Sequence, residues 1–221
     1  MSFDLSGLRR PVRAGFRTMT VCTGNICRSP LAELYLRSQL ADVPQVTVSS
    51  AGTMARDGQA MPDQAKTVAR NAGLDPDNHE ASFLREKDVS EADLILVMAR
   101  EHRRDVVSLY PRASRYTFTV REFARLAVGM TEDDLPGVTA LPLTDVVGRL
   151  NAAVADVAAR RGSVEGPAAE VDEDVVDPYR LSDEVFRRSA QQLYPAVDVV
   201  VGVLRAAALG TFGSRSQLRE G

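Results

Sequence analysis

Two rhythms of hydrophobic and polar residues alternate along the chain. Short runs rich in β-branched and apolar residues predict four strands: Phe16-Arg17-Thr18-Met19-Thr20-Val21, Val46-Thr47-Val48-Ser49-Ser50, Asp93-Leu94-Ile95-Leu96-Val97-Met98 and Tyr116-Thr117-Phe118-Thr119-Val120. The third is almost wholly apolar, as a parallel strand covered on both faces should be. Helical stretches fall between and after these runs. Ser29-Pro30 reads as a cap and first turn, with Glu33 adding negative charge, for a helix to about Leu40. Ala65, Val68, Ala69 and Ala72 mark a second helix from about Pro62, stopped by Gly73. Further helices are predicted over Arg100 to Leu109, before Pro111, and over Glu122 to Ala127. From Ser182 onward, Val185, Phe186, Leu193, Val197, Val200 and Leu204 share one stripe of a long last helix.

Strands alternating with helices predict an α/β fold, a doubly wound parallel sheet with helices on both faces and a ligand beyond the carboxyl ends of the strands. The pattern divides the chain into an arm over 1–15, a single domain over 16–209 and a polar tail over 210–221. Within the domain, 129–171 changes character. A turn-rich loop precedes an amphipathic segment with Val146, Val147, Leu150, Val154 and Val157, which closes at Arg160-Arg161-Gly162. That stripe reads as a packing face, with a docking face as the alternative.

Composition narrows the function classes. The 221 residues are 44% hydrophobic and 26% charged, the balance of a globular protein large enough for one ample core. A net charge of -3, with 5% aromatics and no Trp, argues against nucleic acid as a partner. Two histidines and two cysteines, both cysteines in one loop, form no metal-ligand pattern, so neither metal nor other cofactor is expected. The same cysteine usage suits a reducing, cytoplasmic compartment. The N-terminal arginines precede no apolar run, and Val197 to Leu209 is too short for a membrane span.

The chemistry concentrates where the first strand ends. Cys22-Thr23-Gly24-Asn25-Ile26-Cys27-Arg28-Ser29-Pro30 carries a cysteine out of a strand, through a five-residue loop, to an arginine at a helix start. Loop N–H groups and the positive helix end make an anion cradle, and the arginine adds a fork that fits phosphate oxygens in pairs. The same field favours the ionised form of a thiol at the loop's start. Thus Cys22 is the candidate nucleophile and Arg28 the candidate clamp, although Cys-to-Arg spacing alone also fits a buried spacer in an Arg-rich chain. Asp177, held extended by Pro178, is a candidate acid and base. Asp172, Glu173 and Asp174 are expected to favour its protonated form, while an ordinary acidic turn is the alternative.

The loop resembles the phosphate-binding loop of the low-molecular-weight protein tyrosine phosphatases, and the likeness extends over about residues 16–128 and 172–208. That resemblance implies strand order 2-1-3-4, a cysteinyl-phosphate intermediate on Cys22, and Asp177 of Asp177-Pro178-Tyr179 as general acid. It also implies that Thr23, Gly24, Asn25, Ile26, Cys27, Ser29 and Tyr179 bind the phosphoryl group or wall its pocket, with Ser50 and His79 supporting the loop. Ser29 could donate a hydrogen bond to the thiolate. Cys27 could form a reversible disulfide with Cys22 or act as a buried spacer. Ile26 matches the tyrosine-type loop, whereas phosphoarginine-specific relatives tend to carry Thr there. The segment after Thr53 lacks the family's frequent aromatic, and Arg180 replaces a second one. The expected partner is a phosphotyrosine-containing protein, with a tyrosine kinase of a polysaccharide system a candidate. Two other readings remain: an arsenate reductase using an external thiol, and a phosphotyrosine-binding module without turnover.

Overall fold

The computed structural model describes residues 14–212; most of the arm (1–15) and of the tail (210–221) lies outside them. Four parallel strands, β1 (Phe16–Cys22), β2 (Val46–Gly52), β3 (Leu94–Val97) and β4 (Thr117–Thr119), form one sheet in the order β2-β1-β3-β4. The expected α/β architecture and strand order both hold. β3, Leu-Ile-Leu-Val, is buried at every position, as its apolar run predicts.

The helices are α1 (Arg28–Gln39), α2 (Asp63–Asn71), α3 (Glu86–Glu91), α4 (Arg100–Leu109), α5 (Val120–Ala127), α6 (Pro136–Thr139), α7 (Val146–Ala159) and α8 (Asp183–Leu209). α2 ends as Gly73 predicts. Gly73 has φ +74°, its N–H bonds Arg70, and the Leu74 N–H reaches back to Ala69. Helix α1 corrects the expected start. It begins at Arg28 with Cys27 at its cap position, so Ser29 lies inside the first turn.

In the 129–171 segment, α7 buries Leu150, Ala153, Val154 and Val157 and packs on α8 and α5. Arg149 on the same helix is buried without a carboxylate partner among the described residues. It donates instead to the carbonyls of Ala207, Val138 and Leu141 at 2.7–2.9 Å, tying α6 and the end of α8 together. Phe186, Leu193, Val197, Val200 and Leu204 of α8 are buried as expected. At 27 residues this helix far exceeds its apolar end, and by length and composition it could cross a membrane; half of its most apolar 18-residue window is buried within the fold.

β1 lies next to β3 rather than only beside β2, so the chain crosses over at that point and leaves a crevice at the carboxyl ends. Cys22 is the last residue of β1, facing that crevice.

Candidate active site

The loop from Cys22 to Arg28 is shaped by what surrounds it. Cys22 pairs in register with Gly52, the last residue of β2. A Cβ on Gly52 would stand 2.6 Å from the Thr23 carbonyl oxygen and 2.8 Å from the Asn25 nitrogen, so the loop needs glycine beneath it. Thr53 and Met54 N–H groups bond the carbonyls of Cys22 and Thr23, fixing the loop's outer edge. Thr20 Oγ1 donates to the Ser29 carbonyl at 2.8 Å and ties β1 to the first turn of α1.

Asn25 sits at φ +53°, a left-handed conformation that asparagine tolerates better than most residues, and is fully buried. Its Nδ2 donates to Ser29 Oγ (2.9 Å) and Ser50 Oγ (2.7 Å), and its Oδ1 accepts from the Ser82 N–H. Its carbonyl lies 2.7 Å from His79 Nε2, which must therefore carry the proton. Ser50 passes its hydrogen bond to Glu33, which also pairs with Arg37. Ser50 and His79 thus hydrogen-bond Asn25 from behind the loop. Glu33, read in the sequence as a helix-dipole charge, is the buried end of that network; nothing local to its helix marks that role.

Cys22 Sγ accepts from the Asn25 N–H at 3.3 Å and lies 3.0 Å from Ser29 Oγ. Because Asn25 already donates to Ser29, the serine's own proton is free for the sulfur; its other acceptor, the Ala51 carbonyl, is farther at 3.4 Å. Neighbouring Cys27 is buried, and its thiol is pushed up to about 12, first by burial and then by Cys22. Both cysteines are free thiols.

Arg28 is buried, with Nη1 on the Val175 carbonyl (3.1 Å) and Nη2 on Asp177 Oδ2 (2.8 Å) and Thr23 Oγ1 (3.5 Å). Its Nε is buried with no acceptor among the described residues. Asp177 Oδ1 accepts from the Tyr179 N–H, so the Asp-Pro-Tyr turn holds its own carboxylate in place. The acidic neighbours of Asp177 each have partners of their own. Asp174 accepts from Arg100 and its backbone N–H, Glu173 pairs with Arg125, and Arg121 donates to the Asp174 carbonyl. These arginines pin the returning segment to α4 and α5, and Asp172 accepts from the Ala169 N–H. These carboxylates anchor the segment that carries Asp177.

Cys22, Thr23, Gly24, Ile26, Cys27, Arg28, Asp177 and Tyr179 line one cavity of about 310 Å³, joined by Met54, Arg56, Gln59 and Arg180. Asn25 and Ser29 do not line it; they sit beneath the sulfur. A larger cavity of about 640 Å³ opens on Glu33, Ser50 and His79, away from Cys22. Among the described residues no cluster of His, Cys, Asp and Glu could hold a metal ion.

His102 on α4 was hidden in a charged helical run. It is buried with Nε2 2.9 Å from Thr23 Oγ1, and burial, with Arg28 close by, lowers it from 6.5 to about 4. At neutral pH it is an uncharged neighbour of the arginine. Between pH 6.5 and 4 the unfolded chain takes up a proton that the folded chain refuses, so stability should fall across that window, by at most ~3 kcal/mol. Thermal denaturation against pH should show this limb flattened in His102→Gln; equal slopes would show that His102 does not cause it.

The chain matches the family model for low molecular weight phosphotyrosine protein phosphatase over residues 17–135. It is 34% identical over 122 residues to a protein-arginine-phosphatase of Geobacillus stearothermophilus, covering 55% of this chain and 80% of that one. It is 36% identical over 100 residues to the low molecular weight protein-tyrosine-phosphatase Ptp of Acinetobacter johnsonii, covering 45% and 68%. The solved low molecular weight protein tyrosine phosphatase from T. tengcongensis superposes with a TM-score of 0.60 at 29% identity, over 85% of this chain and 99% of that one. All of α6 and α7 and the Asp177 turn fall beyond the matched range, which ends at residue 135, immediately before α6. Sequence, fold and the placement of the loop agree, and the chain belongs to the low molecular weight phosphotyrosine protein phosphatases, a family of phosphoric monoester hydrolases.

Proposed function

We propose that this protein is a protein tyrosine phosphatase acting through a cysteinyl-phosphate on Cys22. The observation that carries the reading is a buried guanidinium nitrogen, Arg28 Nε, without an acceptor among the described residues, on a side chain that lines a cavity with a cysteine and a carboxylate. A phosphoryl oxygen supplies the acceptor that nitrogen lacks, since buried donors seldom go unpaired.

In the first step Cys22 Sγ bonds phosphorus as the ester O–P bond breaks, and Asp177 gives its proton to the departing phenolate oxygen. In the second, Asp177 takes a proton from water, the water oxygen bonds phosphorus, and the S–P bond breaks. Ser29 Oγ, 3.0 Å from the sulfur, donates to the departing thiolate. The incoming phosphoryl group competes with Asp177 for Arg28, so substrate binding itself frees the carboxyl group for the leaving oxygen.

Phosphotyrosine is favoured over phosphoarginine by the cavity walls. Ile26, Met54 and the half-exposed ring of Tyr179 offer apolar surface to an aryl ring, while Arg56 and Arg180 would repel a substrate guanidinium. We place the physiological substrate among tyrosine-phosphorylated proteins, a tyrosine kinase of a polysaccharide system being one to try first. A panel of matched phosphotyrosine, phosphoarginine and phosphoserine peptides tests this. Phosphotyrosine should give the highest kcat/KM. Preferential phosphoarginine turnover would move the protein to the activity its Geobacillus relative is named for, and arsenate-dependent thiol oxidation without phosphate release would favour the reductase reading.

A further inference from the structure

We propose that the mouth of this cavity selects phosphotyrosine flanked by acidic residues, through Arg56 and Arg180; the proposal rests on the phosphatase reading above. The cavity is lined by three cationic side chains, Arg28, Arg56 and Arg180, and by one acidic one, Asp177. Asp177 is already engaged, one oxygen with Arg28 and the other with the Tyr179 N–H. A bound phosphoryl group takes Arg28, which leaves Arg56 and Arg180 to face the rest of the substrate.

Neither Arg56 nor Arg180 has an ion-pair partner among the described residues, although this chain pairs its arginines freely. Arg100 holds Asp174, Arg125 holds Glu173 and Arg85 holds Asp57. The last case is telling. Asp57 follows Arg56 directly, yet it turns away to Arg85 and the Phe83 N–H. Arg56 is exposed on the segment after β2, held beside the loop by the Met54 N–H on the Thr23 carbonyl.

Arg180 comes from a different loop and carries backbone strain. Leu181 N–H bonds the Pro178 carbonyl, closing a turn whose third residue, Arg180, has φ +62°. Glycine or asparagine usually fills that position. Asn25 and Arg180 are the two non-glycine residues with positive φ among those described, and both belong to this site. The strained turn lays the Arg180 guanidinium over the Tyr179 ring, 5.1 Å from its centroid, so aromatic wall and positive charge form one surface. A phosphotyrosine ring resting on Tyr179 would bring the residues beside it in the peptide to these two guanidiniums.

The test compares peptides of equal length carrying phosphotyrosine between Asp/Glu, Ser or Lys neighbours, alongside a small aryl phosphate. Wild type should favour acidic over neutral flanks by about five- to tenfold in kcat/KM, carried by KM, the range two exposed ion pairs supply. Raising salt to about 0.5 M should bring that ratio towards one. The double variant Arg56→Gln/Arg180→Asn, whose asparagine suits the turn, should lose the acidic-to-neutral ratio at low salt. A ratio near one in wild type, or an undiminished ratio in the double variant, would overturn the proposal while aryl phosphate hydrolysis kept the phosphatase reading intact. Failure of wild type to hydrolyse aryl phosphate or peptide would overturn both.

Discussion

Cys22→Ser is expected to lower aryl phosphate hydrolysis by at least ~10⁴-fold, ~5.5 kcal/mol in activation free energy, and to leave inorganic phosphate bound. A serine hydroxyl holds its proton far more tightly than a thiol, and among the described residues the side chain that hydrogen-bonds position 22 is Ser29, which is no general base. The anion site should survive because its parts lie elsewhere. Arg28 is held by the Val175 carbonyl, and the loop by the Asn25–Ser50 hydrogen bond and its packing on Gly52, contacts that do not involve the sulfur. Steady-state kinetics, with phosphate binding followed by calorimetry, reads both halves. Loss of phosphate binding together with turnover would mean that the substitution had collapsed the loop, and that Cys22 had been credited with chemistry it does not perform.

Asp177→Ala should show a loss that depends on the leaving group. For phosphotyrosine, whose phenolate needs a proton, kcat should fall about 10²- to 10⁴-fold. For a nitrophenyl phosphate, whose phenolate leaves without help, phosphorylation of the enzyme should be spared far more and water attack should become limiting. The variant also removes the carboxylate that occupies Arg28 at 2.8 Å, so phosphate should bind at least as tightly as in wild type. A plot of log kcat/KM against leaving-group pKa should therefore steepen. An equal loss for every leaving group would instead point to a structural role for Asp177, through its contacts with Arg28 and the Tyr179 N–H.

The sheet and the nucleophile loop were legible because their signals are local. Leu94-Ile95-Leu96-Val97 can hardly be anything but a covered parallel strand, and Asn25 supplies the left-handed backbone position that the loop needs. The start of α1 was misread for an instructive reason. Ser29-Pro30 has cap chemistry, but the serine's oxygen is taken by Asn25 and Cys22 on the far side of the loop. At α5 the strand stops earlier than its β-branched run predicts, because Thr119-Val120-Arg121-Glu122 forms a reciprocal capping box that starts the helix at Val120. Helix α3 buries a single apolar residue, Val89, and leaves almost no periodicity to detect.

The supporting residues depend on the fold alone. His102 reaches Thr23 across 79 positions, Glu33 reaches Ser50 from the next helix, and Arg100, Arg121 and Arg125 fix the segment that delivers Asp177. No spacing rule along the chain could pair these groups. The same holds for Gly52, whose missing side chain matters only because another loop lies on it.

All of this depends on a phosphoryl group passing through one sulfur. The direct measurement is acid-quenched mass spectrometry of Asp177→Ala after brief exposure to a nitrophenyl phosphate, with peptide mapping of the adduct. The account predicts one added phosphoryl group, located on Cys22 and absent from the Cys22→Ser/Asp177→Ala double variant. A phosphoryl group on any other residue, or steady turnover with no adduct on Cys22, would contradict it.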